Sequence, residues 1–256
     1  MLIQVTEPAQ IPDLTRACTH ERVFGSRILT ALRARGLQDE QAQFFLVKAG
    51  EMCAALGLLD GVLVISAPEN TPDAPIAALI QEKQVGEVDC SEELCLRLQE
   101  KLGGVTEHSY YMVYEGEGEK DSFPGIVPGK LEDVFSVLQQ SHQYYRDHLD
   151  FAVWSGDLNN RLCRGLSELY QLEVDGKVVG TGSIASEDDT CGVIAAVAVI
   201  PEYRHRGLGS TISRFLVQRI LEKGKKPRLI SGYDEVAELY RQIGFIPCGR
   251  WGELYL

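Results

Sequence analysis

An apolar strand running from Gly192 to Ile200, halted at Pro201 and followed by Arg204-x-x-Gly207-x-Gly209, leaves this chain few folds to choose from. Near-continuous apolarity marks a strand covered on both faces. The basic, glycine-bearing turn after it opens a helix with Leu208, Ile212, Phe215, Leu216 and Ile220 along one stripe. Lys223-Gly224 closes that helix with a basic last turn and a glycine cap. A strand–turn–helix of this form aims several unbonded backbone N–H groups, and the positive end of a helix dipole, at one point. It suits a pyrophosphate. Glycine at 207 and 209 lets a ligand approach backbone that a Cβ would shield.

The chain has 256 residues, room for two domains of ordinary size. Glu115 to Lys130 carries four glycines and two prolines and reads as a linker, dividing residues 1–118 from 119–256. After it, Leu131 to Gln140 has helical spacing (Leu131, Val134, Phe135, Leu138). From Glu168 the period changes to two, with Tyr170, Leu172 and Val174 on one face and Gln171 and Glu173 on the other. Asp175-Gly176 closes a hairpin into Lys177 to Ala185, and Gly192 to Ile200 completes a meander. The first half repeats the pattern. Strands are expected at Gln43–Lys48, Glu51–Leu56 and Val62–Ser66, with turns at Ala49-Gly50 and Asp60-Gly61. Helices are expected over 26–35 and Ser91–Lys101. The expected fold class is α/β: two mixed-sheet halves, each a central antiparallel meander flanked by helices, related by internal duplication.

Composition excludes other classes. A net charge of −12, −9 of it in residues 1–118 and −3 in residues 119–256, argues against a nucleic-acid surface and places any polyanionic ligand in the second half. No apolar run reaches a membrane span, and the first residues lack the basic and apolar regions of a secretion signal. Seven cysteines and five histidines show no knuckle or HExxH spacing, so no metal site and no disulfide scaffold are expected. A cytoplasmic protein is the expectation.

The segment AVAVIPEYRHRGLG resembles the acetyl-CoA signature of the GNAT superfamily of acyl-CoA-dependent N-acyltransferases: V-x-V-x-P, Tyr-Arg, then (Arg/Gln)-x-x-Gly-x-(Gly/Ala). Ala237-Glu238-Leu239-Tyr240-Arg241-Gln242-Ile243-Gly244-Phe245 is similar to the family's A-x-x-L-Y-x-x-x-G-F ending, one residue tighter between Ala and Tyr. Tyr233 or Asp234 stands where the family has an asparagine. The likeness spans residues 130–256. It implies an N-acetyltransferase using acetyl-CoA as co-substrate and an amine-bearing small molecule or peptide as acceptor. Val197, Ala198 and Val199 would pair with the pantetheine arm, one N–H polarising the thioester carbonyl. Backbone amides of Arg204, His205, Arg206, Gly207, Leu208, Gly209 and Ser210 would hold the pyrophosphate, and Tyr240 would protonate the leaving thiolate. A catalytically silent acyl-CoA sensor or interaction module on the same fold is the alternative.

Other features are weighed against this. Gly180-Thr181-Gly182-Ser183-Ile184-Ala185 matches a dinucleotide fingerprint, but three carboxylates follow where a helix should open, so its glycines read as a strand closely approached by a neighbour. Tyr240 shares a helical stripe with Val236, Leu239 and Ile243, which by itself indicates burial. By residue type Glu173, Glu187, Asp188, Asp189 and Glu253 are general-base candidates, and as surface charges are common. Cys191 and Cys248 read as buried small hydrophobes. His142, Tyr144, Tyr145, His148 and Trp154 lie where the resembled fold builds its acceptor pocket, and packing explains aromatics there equally well. Ser66 to Pro75, the first-half counterpart of the phosphate turn, has no glycine, no basic residue and three prolines. The first half is therefore expected to be a degenerate GNAT-like domain that does not bind CoA by that route.

Overall fold

The computed structural model describes residues 1–118, 122–148, 150–232 and 234–256, without the side chains of Tyr144, His148 and Glu235. The chain divides into two compact units. The first takes in Met1–Met112, Ile230–Tyr233 and Pro247–Leu256; the second takes in Val113–Leu229 and Asp234–Ile246. The organisation is therefore not a single cut near residue 118. The chain passes between units within three of its strands, and its last ten residues belong to the first unit.

In the first unit, in chain order, are β1 (Leu2–Gln4), α1 (Ile11–Ala17), α2 (Arg22–Arg35), β2 (Ala42–Ala49), β3 (Met52–Leu59), β4 (Val62–Ser66), α3 (Ala74–Lys83), β5 (Glu87–Ser91), α4 (Glu92–Leu102) and β6 (Val105–Tyr114). The second unit continues with β7 (Ile126–Pro128), α5 (Leu131–Ser141), α6 (Gln143–His148), α7 (Phe151–Cys163), β8 (Glu168–Val174), β9 (Lys177–Glu187), β10 (Cys191–Val199), α8 (Leu208–Glu222), β11 (Lys226–Ser231), α9 (Asp234–Ile243) and β12 (Phe245–Tyr255). Both units show an antiparallel meander, then a helix, a parallel strand and another helix. The meander turns have the cause read from sequence: Asp60-Gly61 and Asp175-Gly176 both have positive φ at both residues, the type I′ geometry that matches strand twist.

The first unit's sheet runs β1-β2-β3-β4-β5-β12-β6, with β4 and β5 parallel. The strand beside β5 is the last strand of the chain, paired from Trp251 opposite Ser91 to Tyr255 opposite Glu87. It contributes Leu254, fully buried, to a core with Phe45, Leu56, Leu63, Ile65, Ile76, Leu79, Val88, Leu94 and Leu98. Helix α3 and strand β5 fall between the two helical stretches read from sequence.

The second unit's sheet runs β11-β10-β9-β8-β7, with β10 and β11 parallel. Helix α8 lies close against it because Gly180 and Gly182 of β9 present no side chain. A Cβ at 182 would stand 2.6 Å from Ile212 Cγ2 and 2.8 Å from Leu216 Cδ1. That close approach, on an uninterrupted strand, accounts for the glycines of the apparent dinucleotide fingerprint. On the other face α5 and α7 supply Val134, Leu138 and Leu158, packed with Leu169. Covering both faces buries a polar residue of β8. Gln171, on the face of β8 opposite Tyr170, Leu172 and Val174, is buried, its Oε1 accepting from the Lys130 amide at 2.9 Å and its Nε2 donating to Glu173 at 2.8 Å.

Candidate functional site

The second unit opens its sheet where the sequence places the chemistry. β10 and β11 hold parallel register from Cys191–Lys226 to Ile194–Leu229. From Ala195 onward, β10 has no partner in β11's register among the described residues. On its other side β10 stays on β9 but bulges: Ala195 faces Ser183 and Ala198 faces Thr181, so Ala196 and Val197 together oppose the single Gly182. Ala196 adopts φ +53°, a left-handed conformation uncommon for alanine. A bulge bends and twists its strand, which turns the end of β10 away from a parallel neighbour. Val197, Ala198 and Val199 are partly exposed there. Their β11-side N–H and C=O groups form a ready edge for an extended, amide-bearing ligand.

Past Val199, Pro201–Tyr203 makes one tight turn and α8 begins. Gly207 caps α8 at φ +77°, and no side chain caps this end. The first bond within the helix is Thr211 N to Gly207 O, 3.0 Å. The amides before it lack intrahelical acceptors by geometry, and Arg204 to Gly207 are exposed. The cations around the turn build it as well as charging it. Arg204 donates from Nε to Val199 O (3.1 Å) and also to Ser141 O, tying the end of β10 to the end of α5. Arg206 lies over the Tyr203 ring at 4.9 Å, with Lys177 Nζ 5.3 Å from the same ring. Gly209 has ordinary φ, and a Cβ there would meet only Leu239 Cδ1 at 3.8 Å. The packing around Gly209 therefore does not itself demand glycine.

Tyr240, on α9, is buried, with its ring edge-on to Phe245 at 5.6 Å. Burial raises its hydroxyl to about 12, opposed by a hydrogen bond with Ser213. Ser213 sits on α8, one turn beyond Gly209, and donates its own proton to the Gly209 carbonyl at 2.8 Å. The phenol is therefore held neutral and tied to the helix that starts at the turn. Sequence reading missed Ser213, because a small polar residue on a helix face gives no signal until α9 packs against it.

Of the aromatic cluster, Tyr145 and Trp154 pack on the same core as Ala196 and Ala198 of the bulge, with Trp154 5.5 Å from Phe135 and 6.4 Å from Phe151. His142 is exposed and meets the Tyr145 ring edge-on at 6.3 Å. The side chains of Tyr144 and His148, and all of Tyr233, lie outside the described residues. The candidate bases separate. Asp188 is buried and accepts from the Thr190 and Cys191 amides, holding the β9–β10 turn. Glu187 is paired with Lys223 and Lys225, and Glu173 accepts from Gln171. Asp189 is exposed. Glu253 belongs to the first unit. Cys191 is buried as expected, whereas Cys248 is exposed, because β12 has five consecutive exposed residues from Ile246 to Arg250.

The first unit's counterpart of the phosphate turn is built differently. Between β4 and α3, Arg97 of α4 donates to the carbonyls of Thr71 (3.2 Å) and Glu69 (3.0 Å), and α3 starts with Pro75 in its first turn beside Asp73. Glu21 accepts from the Ala67 amide just past β4 at 3.4 Å.

Residues 131–245, from α5 to the first residue of β12, match the model of the acetyltransferase (GNAT) family. They form a GNAT domain. Solved structures with the same fold span the whole chain. A GCN5-related N-acetyltransferase from Sphaerobacter thermophilus superposes with TM-score 0.64 at 18% identity, covering 98% of this chain and 94% of its own. One from Kribbella flavida gives 0.60 at 15%, covering 93% and 95%. A tandem GNAT protein of the clavulanic acid biosynthesis pathway gives 0.59 at 10%, covering 99% and 97%. No curated protein matches the sequence. Two GNAT-like mixed-sheet halves, as expected from the sequence, account for that end-to-end coverage. Among the described residues no helix is long and apolar enough to cross a membrane.

Proposed function

We propose that the second unit transfers an acetyl group from acetyl-CoA to an amine, by direct attack within a ternary complex, and that the protein does so in the cytoplasm. The observation that carries this reading is the conjunction of an unpaired strand edge at Val197–Val199 with an uncapped helix start at Gly207–Ser210, on one continuous stretch of chain. The two features match the two chemistries of the donor. The amide-bearing pantetheine arm would add to the strand edge, and the pyrophosphate would accept hydrogen bonds from the turn amides at the positive end of α8.

In the reaction the amine lone pair attacks the thioester carbonyl carbon. The new C–N bond forms, the carbonyl oxygen takes up negative charge, and collapse breaks the C–S bond. An N–H of the Val197–Val199 edge stabilises the oxyanion, an interaction worth about 3 kcal/mol in comparable sites. The attacking nitrogen, now cationic, loses its surplus proton to solvent. Tyr240, neutral because burial raises its hydroxyl to about 12, donates its proton to the departing thiolate and is reprotonated from solvent, so the products are the amide and the free thiol. Tyr145 and Trp154, packed beside the bulge, line the side from which the acceptor arrives. The first unit lacks the glycine turn, carries prolines and carboxylates in its place, and serves as a shell without a donor site of this kind.

Titration of the full chain with acetyl-CoA, followed by thiol release in the presence of amines, aminoglycosides and peptide N-termini, tests the reading. One site per chain and acceptor-dependent thiol release are expected. Two equivalent sites would overturn the assignment to the second unit. Saturable binding without turnover on any acceptor would leave a sensor in place of an enzyme.

A further inference from the structure

In the first unit β12 pairs with β5 so that Glu253 lies directly opposite Asp89 and Tyr255 opposite Glu87. Glu87, Asp89, Glu253 and Tyr255 thus share one face of the sheet, while Val88 and Leu254 enter the apolar core on the other. One oxygen from each of Glu87, Asp89 and Glu253 lies within 4.8 Å of the other two. Three atoms so spaced all fall within about 2.8 Å of a common point, close to the 2.3–2.6 Å of calcium–oxygen bonds. Like charges directly opposite on adjacent strands weaken a sheet unless something positive stands between them.

Asp89 supplies a second, independent sign of a ligand. Its side chain is 3% exposed, and its Oδ2 is held by Arg27 of α2. Its Oδ1 is buried without a hydrogen-bond partner among the described residues. An orphaned carboxylate oxygen in the interior costs more than an ordinary polar atom. Arg27 neutralises one of the three charges and orients Asp89, leaving two negative charges and an open oxygen. Glu87 and Glu253 are partly exposed and connect the group to solvent.

The geometry points to a binding site for one hard divalent cation, of the Ca²⁺, Mg²⁺ or Mn²⁺ class, held by Glu87, Asp89 Oδ1 and Glu253. Such an ion brings the local charge to zero and satisfies the orphan. All-oxygen donors select this class over zinc. No ligand spacing marks this site in the sequence, because Glu253 reaches Asp89 only through strand pairing. The inference is independent of the acyl-transfer reading.

The test uses the full chain stripped with EDTA and titrated with Mn²⁺ by electron paramagnetic resonance, with thermal unfolding in Ca²⁺ and Mg²⁺ alongside. One Mn²⁺ per chain, a saturable rise in Tm and at least a tenfold loss of Mn²⁺ affinity in Glu253→Gln and Glu87→Gln are expected. These two partly exposed positions are used because Asp89→Asn also breaks the Arg27 pair. The metal-free variants should unfold at or above the wild-type temperature, since each removes one of the crowded charges. No bound Mn²⁺ at millimolar concentration, or equal binding in both variants, overturns the proposal. So does a Tm rise given by spermidine but by none of the metals, which would mark an amine site instead.

Discussion

Replacing Gly209 by alanine separates the needs of the fold from the needs of the ligand. Gly209 is the second residue of α8 at ordinary φ, and the added methyl would touch only Leu239 Cδ1, at 3.8 Å, an unstrained contact. Alanine in place of a helical glycine stabilises by roughly 0.5–1 kcal/mol, less at a helix end. The variant should therefore keep its Tm or gain about 1–3 °C. The same methyl stands on the uncapped first turn of α8, tilted toward its N-terminus as every helical Cβ is, where a phosphate oxygen must come within about 2.9 Å of a backbone nitrogen. Losing one such charge-assisted bond costs about 1.5–3 kcal/mol, or roughly 10- to 150-fold in affinity. Calorimetric titration with acetyl-CoA and thermal unfolding of the same preparation read both quantities. Unchanged affinity would refute the placement of the pyrophosphate. A fall in stability beyond about 1 kcal/mol would show that glycine at 209 serves the fold after all.

Further outcomes follow from the same structure. Tyr240→Phe should lower kcat by about 100-fold or more while leaving the acetyl-CoA Kd within twofold, measured by thiol release and calorimetry, because the hydroxyl and not the ring does the chemistry. Leu254→Ala should cost about 2–5 kcal/mol in denaturant unfolding, since this fully buried side chain from the far end of the sequence completes the first unit's core. Glu21 is raised from 4.5 to about 7, chiefly by burial, against the Ala67 amide and the Tyr111 hydroxyl. Because its folded value lies above its unfolded one, the stability it contributes is present below about pH 4.5 and lost as pH rises through about 7. Glu21→Gln should therefore match wild type at pH 4 and exceed it at pH 8 by up to roughly 3 kcal/mol in urea titrations. An equal gap at both pH values would exclude that linkage.

Where local chemistry suffices, the sequence alone determined the outcome. The Asp-Gly hairpins follow from glycine's freedom at positive φ, the burial of Cys191–Ile194 in β10 from its apolar run, which Ala195–Val199 share while staying partly exposed, and the strand–turn–helix from Pro201 and Gly207. Each is settled within a few residues, and the three-stranded meander of each half follows from them, whereas α3 and β5 of the first unit do not. What needed tertiary structure is whatever depends on a distant neighbour. Gln171 is buried because helices cover both faces of its sheet, a fact absent from the alternation of its own strand. Gly180 and Gly182 are fixed by the closeness of Ile212 and Leu216, and the Tyr240 hydroxyl by Ser213 on a different helix. The bulge at Ala196 that frees the end of β10 comes from pairing register, which no side chain in the sequence announces. The last strand joins the first unit, bringing Glu253 to Asp89, because an unpaired strand edge is satisfied by whichever chain segment can reach it. Local rules write the elements, and only three-dimensional packing chooses their partners.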